Sequence, residues 1–309
     1  MATPPVTAID ARGALLALVL SVFWGANPVA IKIGLEDAPP LRLAWMRFLV
    51  GGAVIIAWAW TTGRLRGFRI RRDEWPPLLV LAALFVAQIG SMNVGTALTS
   101  AAHSAVLLNL YAVHTVVLAH YLLPGDRLTA RKLIGVVIAY AGTVPLFTGR
   151  AGGVDTPTLA GDVIVFTSGL ILGERTVYLA RAVHRLDPVK LLLAQAVLGT
   201  AVFVLVSVLI EDTPTRWTWR LASSIAYQGI VIAGFNFVAN LWLLGRYRAS
   251  ALATFFLTQP IFGVVAAAVV AGERLTSDLF VASAAVAVGI GLTNTGGSAA
   301  RPPRPSRLS

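Results

Sequence analysis

Apolar residues along this chain come in long unbroken runs, without the alternation of a strand or the stripe of a surface helix. A helix crossing about 30 Å of hydrocarbon needs roughly 20 residues. Ten runs of that kind begin near Gly13, Leu41, Trp75, Ser104, Arg131, Gly161, Val189, Ala222, Ala249 and Ser277. The connectors are short and leave no room for a soluble domain. An outer-membrane barrel would show segments of about ten residues with alternating polarity, and these continuous runs lack it. The pattern predicts an all-α integral membrane protein of ten transmembrane helices.

The polar positions between the runs set an orientation. Seventeen of the 25 Lys and Arg residues fall in gaps on the side of the N-terminus, five fall on the opposite side, and Lys32, Arg47 and Arg175 lie within runs. An excess of basic residues marks the cytoplasmic side, so both termini are expected in the cytoplasm of a multi-pass cell (inner) membrane protein. The stretch after Met1–Arg12 is longer than a signal-peptide core and is expected to stay as a helix. The tail after Thr295 carries Arg301, Arg304 and Arg307 among Pro302, Pro303 and Pro305 and reads as disordered.

A shift of 147 lays Gly125-Asp126-Arg127-Leu128-Thr129 over Gly272-Glu273-Arg274-Leu275-Thr276, Ala102 over Ala249, Gly142 over Gly289 and Asn93 over Asn240. A shift of 148 brings Pro40 over Pro188 and Gly51 over Gly199. The chain therefore divides into a cytoplasmic tail 1–12, a five-helix repeat 13–147, an external linker 148–160, a second five-helix repeat 161–296 and a disordered cytoplasmic tail 297–309. Five is odd, so the second repeat enters the membrane inverted. Two inverted repeats around a central cavity are the architecture of many secondary transporters, which move by rocking about a midplane site.

Composition sharpens this picture. With 57% hydrophobic and 13% charged residues the chain has too little polar surface for water. The net charge of +11 would point to nucleic acid in a soluble protein, but here the basic residues mark topology, and no nucleic-acid partner is expected. Cysteine is absent, which excludes disulfides and thiolate metal sites. No His-Glu-x-x-His pair, nucleophile elbow or Walker loop occurs, so no metal, cofactor, catalytic residue or ATP drive is expected. The partners are the lipid bilayer and a small-molecule substrate, and the oligomeric state is left open. A channel or a membrane-embedded enzyme is the rival from another class.

Phe23-Trp24-Gly25-Ala26-Asn27-Pro28-Val29-Ala30-Ile31-Lys32, Arg47-Phe48 and the two Gly-acidic-Arg-Leu-Thr turns resemble the ten-helix EamA-type members of the drug/metabolite transporter superfamily. Gln259-Pro260 fits the same pattern, whereas Ala112-Val113 departs from the proline usual at its counterpart. The resemblance covers about residues 13–296. It implies helices around a central cavity and export or exchange of small metabolites, often amino acids. These motifs name no substrate, and broad export of drugs or organic cations is the alternative.

Polar residues in hydrocarbon are costly and should face the protein interior. Trp24, Asn27 and Pro28 share a face of the first span, and Pro28 frees a carbonyl near Trp24. Lys32, beside Glu36 and Asp37, is read as a snorkelling or paired lysine, and Arg47, within reach of the outer interface, as a structural anchor. Glu174 and Arg175 point about 100° apart on their helix, so each needs a partner elsewhere; Tyr178 shares the face of Glu174. Glu174 is a candidate for substrate charge recognition or proton coupling. His114 is paired with Tyr111, while His103 and His120 lie near span ends and should meet water. Asn236 and Asn240 form one polar stripe, Gln88 a similar one with Ser91, and Phe255 and Gln259 a face that suits an apolar substrate. The candidate cavity residues are thus Trp24, Asn27, Pro28, Gln88, Tyr111, His114, Glu174, Arg175, Tyr178, Asn236, Asn240, Phe255 and Gln259.

Overall fold

A computed structural model describes residues 9–66, 68–122, 128–148, 158–182, 185–244, 246–247, 252 and 255–294, and the regular elements among them are helices. In chain order these are α1 (Ala11–Leu35), α2 (Pro40–Thr61), α3 (Trp75–Leu98), α4 (Ala101–Leu122), α5 (Ala130–Thr148), α6 (Leu159–Ala182) and α7 (Pro188–Ile210). They continue with α8 (Trp219–Ala226), α9 (Phe237–Leu244), α10 (Gln259–Ala271) and α11 (Ser277–Asn294). A 3₁₀ turn, Arg72–Glu74, leads into α3, and a π-helical segment, Tyr227–Asn236, joins α8 to α9 in one rod. Among the described residues, seven helical stretches are long and apolar enough to cross a membrane: α1, α2, α3 with its leading turn, α4, α5, α7 and the α8–π–α9 rod. α10 and α11 are shorter apolar helices. Helices begin within three residues of the expected Gly13, Leu41, Trp75, Ser104, Arg131, Gly161, Val189, Ala222 and Ser277. The expected start at Ala249 and the tail after Thr295 lie outside the described residues.

Polar contacts sort into two layers at opposite ends of the bundle. One rim gathers the C-terminus of α1, the N-termini of α2, α4 and α6, and the C-termini of α3 and α7. There Glu211 accepts from the N–H groups of Leu41 (2.7 Å) and Arg42 (2.9 Å), Arg216 and Arg220 pair with Asp37 (3.0 Å) and Glu36 (2.7 Å), and the Thr218 hydroxyl donates to Asp37. At the other rim Lys190 reaches Glu74 at 2.8 Å, and the Tyr178 hydroxyl donates to the Pro77 carbonyl at 3.2 Å. Asp10 caps α1 there, accepting from Gly13 N–H at 2.7 Å and Tyr247 OH at 2.8 Å. Those donors hold the Asp10 carboxyl below the usual carboxylate range. Exposed tryptophans mark both ends: Trp217 and Trp219 at the first rim, Trp60 and Trp75 at the second. This is the position that amphipathic rings take at a membrane interface.

At the first rim Lys32 finds a specific role and one sequence expectation changes. Lys32 donates to the carbonyls of Thr96 (3.1 Å), Ala97 (3.3 Å) and Thr99 (2.6 Å), so it closes the C-terminus of α3, where a cation meets the negative end of the helix dipole. His103, expected in water, is only 8% exposed. Its Nδ1 lies 3.1 Å from both oxygens of the buried Asp162, which also accepts from the Thr99 hydroxyl at 2.5 Å.

The acidic residue of the repeated turn has a visible task in its second copy. Gly272 adopts φ +67°, the left-handed conformation that ends a helix cheaply in glycine. The turn delivers Glu273 to the start of α4, where its two oxygens accept from Ala101 N–H (2.6 Å) and Ala102 N–H (2.9 Å). In the first copy Gly125, Asp126 and Arg127 lie outside the described residues.

Glycines let several helices approach closely. A Cβ added at Gly135 would lie 2.6 Å from the Gly289 carbonyl, and one at Gly289 would lie 2.5 Å from the Gly135 carbonyl, which locks α5 to α11. Gly25 likewise seats α1 on α10, with the Gln259 carbonyl 2.6 Å from where its Cβ would be. Small residues of this kind let backbones pack in lipid, where no hydrophobic force joins helices. Around these crossings α3 and α4 both pack on α6, α2 packs on α7 and the π segment, and α4 also meets α10.

Glu273→Ala removes a charged bidentate cap from α4 and is expected to cost about 1–2 kcal/mol. Thermal unfolding of the detergent-purified protein should show a lower Tm, with Glu273→Asp closer to the parent than Ala.

Candidate functional site

Two arginines interrupt the apolar stretch between the two rims, and the groups around them come from several elements. Arg47 sits about 10 Å along α2 from its N-terminus and is 3% exposed. Its Nη1 donates to the Gln228 Oε1 at 2.6 Å. Gln228, on the π segment, is itself held by donating from Nε2 to the Ser224 hydroxyl at 2.8 Å. Arg175, on α6, donates from Nη1 to the Gln88 Oε1 on α3 at 2.8 Å. Gln88 is 1% exposed, donates from Nε2 to the Ser168 hydroxyl (3.3 Å), and accepts from it through its backbone carbonyl (2.7 Å). Each guanidinium is thus oriented by a fixed neutral amide.

Aromatic rings link the two. The Arg47 Cζ lies 4.6 Å from the Phe48 ring centroid, Phe48 meets Phe85 edge-on at 4.7 Å, and the Arg175 Cζ lies 5.2 Å from the Phe85 centroid. Cations over aromatic faces gain about 0.5–2 kcal/mol each, which offsets part of the desolvation cost. Tyr111 of α4 is close enough to interact electrostatically with Arg175, and Arg47 and Arg175 feel each other's charge. Neither has a carboxylate partner among the described residues, and the Arg47 Nε and Nη2 atoms are buried with no hydrogen-bond partner. Arg47 is therefore held inside the bundle, short of the outer interface within its reach.

The other sequence candidates fall into separate groups. His114 Nδ1 lies 3.3 Å from the Tyr140 hydroxyl of α5 and interacts electrostatically with Glu174; Gly173 provides the space for its ring at the α4–α6 crossing. Glu174 is exposed, in contrast to the adjacent Arg175. Trp24 meets Phe256 edge-on at 5.5 Å, beside the cluster that includes Phe255, Leu243 and Tyr247. Asn236 donates to the Leu20 carbonyl of α1 at 3.2 Å. The Oδ1 atoms of Asn27, Asn236 and Asn240 are buried without a partner. Pro28 is buried within α1, and Gln259 and Pro260 are buried at the start of α10. Tyr178 is tied to Pro77 at the second rim, apart from the arginine cluster.

Of the sequence candidates, the structure brings Gln88, Arg175 and Tyr111 together and adds Arg47, Phe48, Phe85 and Gln228, which sequence reasoning had not placed at the site. The available signal for Arg47 was its depth, five residues past Arg42 in an apolar run. Gln228 follows Ser224 and Leu221 at helical spacing, which marks a buried face.

Comparison with known proteins gives a consistent result. The family profile described as the EamA-like transporter family matches twice, at residues 11–148 and 159–295. A protein of Escherichia coli (strain K12) described as a probable amino-acid metabolite efflux pump is 24% identical, with 90% of this chain and 93% of that protein covered. The uncharacterized transporter YvbV of Bacillus subtilis (strain 168) is 25% identical, over 92% of each chain. A solved crystal structure at 22% identity superposes with a TM-score of 0.68 over 91% of this chain and 95% of that one, which shows the shared fold.

Gln88→Leu leaves the half-buried Arg175 without its acceptor and is expected to lower stability by about 1 kcal/mol, read as a fall in Tm in detergent. Gln88→Glu supplies a charged acceptor at the same place and should keep or raise the Tm.

Proposed function

The chain belongs to the EamA-like transporter family, and we propose that it works as a secondary carrier, exporting or exchanging small amino-acid-like metabolites across the cell inner membrane. It is a multi-pass membrane transporter; the finer reading concerns its mechanism. Ten spans form two five-helix units of opposite orientation, with both termini in the cytoplasm, and access alternates as one unit rocks against the other. The double family match supports a tandem duplication. Support for inversion comes from the helix starts: Asp10 caps α1 at one rim, whereas Asp162 in the first turn of α6 sits with Thr99 and His103 at the other.

The observation that carries the reading is the polar cluster between the two rims, to which α2 and α3 of the first unit and α6 and the π segment of the second contribute Arg47, Gln88, Arg175 and Gln228. Charges at this depth are costly to keep and mark a substrate pathway. The metabolite class follows the description of the Escherichia coli relative. Glu174, exposed beside the His114–Tyr140 pair, is the group for proton coupling, and it would also meet a cationic substrate in the drug-export alternative.

In proteoliposomes, counterflow of labelled neutral amino acids should saturate, ignore ATP, and be competed by unlabelled amino acids better than by organic cations or sugars. Flux that rises linearly with concentration would assign a pore, and competition by organic cations alone would assign drug export. Glu174→Gln is expected to fold with an unchanged Tm, to slow counterflow about tenfold and to flatten its pH dependence. Unaltered flux and pH response would remove Glu174 from the mechanism.

A further inference from the structure

We propose that Arg47 and Arg175 form an anion subsite that takes the carboxylate of a small substrate with an apolar or aromatic body. The inference rests on the carrier reading above and names the substrate chemistry of the same site.

A guanidinium carries five N–H donors in a planar fork, and Arg47 leaves part of that fork unsatisfied. One arm, Nη1, is used by the Gln228 amide oxygen, while Nε and Nη2 are buried and have no partner. Those two nitrogens form one edge of the fork, with parallel N–H bonds that match the two oxygens of a carboxylate. Arg71 at the rim shows the pairing: its Nε and Nη2 donate to Asp73 Oδ1 and Oδ2 at 3.0 and 2.9 Å. Arg47 presents the same edge without a protein acceptor.

Charge points the same way. Arg47 and Arg175 are like charges that repel, both oriented by neutral amides. On the elements packed against α2, the acidic side chains among the described residues stand at the ends of the helices, where Glu211 and Glu74 are already engaged. Glu174 adjoins Arg175 on α6 but is turned about 100° away and is exposed. A buried cation left without a counter-ion is strongly unfavourable. An incoming anion removes that penalty, so binding energy concentrates at this point. Phe48, Phe85 and Tyr111 border the two guanidiniums and supply apolar contact for the rest of the molecule.

The test compares three probes that share a phenyl body on the purified transporter: L-phenylalanine, 3-phenylpropionate, which lacks the amine, and L-phenylalaninamide, which lacks the carboxylate. Equilibrium binding by calorimetry should show both carboxylates binding at least tenfold more tightly than the amide. Arg47→Gln and Arg175→Gln should each weaken the carboxylates at least tenfold and leave the amide unchanged, with Arg47→Lys intermediate. The ligand-free Tm of Arg47→Gln should equal or exceed that of the parent, because an unpaired buried charge has been removed; a structural anchor would lose stability instead. The comparison of acid with amide needs no variant, so it stands even if a substitution impairs folding. Amide binding as tight as the acids, no binding of any probe, or variants that bind carboxylates like the parent would overturn the subsite. Saturable counterflow of other solutes that is indifferent to Arg47 would discard the subsite and keep the carrier. Tight carboxylate binding with non-saturable flux would do the reverse.

Discussion

Hydrocarbon offers no hydrogen bonds, and this single fact organises the molecule. Every donor and acceptor that a soluble protein would hand to water must here be satisfied internally or carried to an end of a helix. The two polar rims are the outcome. Lys32 closes α3, Glu211 caps α2 and Glu273 caps α4, each charge resting on the backbone groups that a helix end leaves unmatched. Between the rims the surface is mostly apolar, with Leu205, Val208 and Val269 turned outward and largely exposed and Glu174 an exception. Against that background Arg47 and Arg175 stand out, since folding alone gives no reason to hold two cations at this depth.

Depth was legible in the sequence and direction was not. Run length and breaker residues located the starts of α1 to α8 closely, because a span must match the hydrocarbon and prolines such as Pro40, Pro76 and Pro188 sit naturally in a first helical turn. A helix that is apolar nearly all round does not reveal which side faces protein. Arg47 and Glu174 illustrate the difficulty. By its place in the run Arg47 is near enough to the surface to escape, yet it is buried; Glu174 lies deep within its span, yet it is exposed. His103 departs from expectation for a related reason, because its partner Asp162 is 59 residues away in the chain.

The π-helical segment had no sequence cue at all. Its wider winding, one residue more per hydrogen-bonded ring than an α-helix, is sustained by contact: Gly229 and Gly234 bring it against Val50 and Val54 of α2. That contact sets Gln228 opposite Arg47. Segments of this type recur at functional sites, and here the irregular backbone and the unusual charge are neighbours. The glutamines were no easier to rank, since an amide in a span serves equally well as glue between helices or as a prop for a functional group; only the partner decides. For Gln88 and Gln228 that partner is an arginine.

The tryptophans at the helix ends have a consequence for the host bilayer. From Pro40 to Thr61, α2 runs about 33 Å, close to the thickness of an ordinary hydrocarbon layer. Trp60 near one end, and Trp217 and Trp219 at the opposite rim, pin both headgroup levels to the protein. A markedly thicker or thinner membrane would have to deform around it or tilt it, at a cost that grows with each ångström of mismatch. The ring placement therefore also selects the lipid environment in which the chain sits without strain.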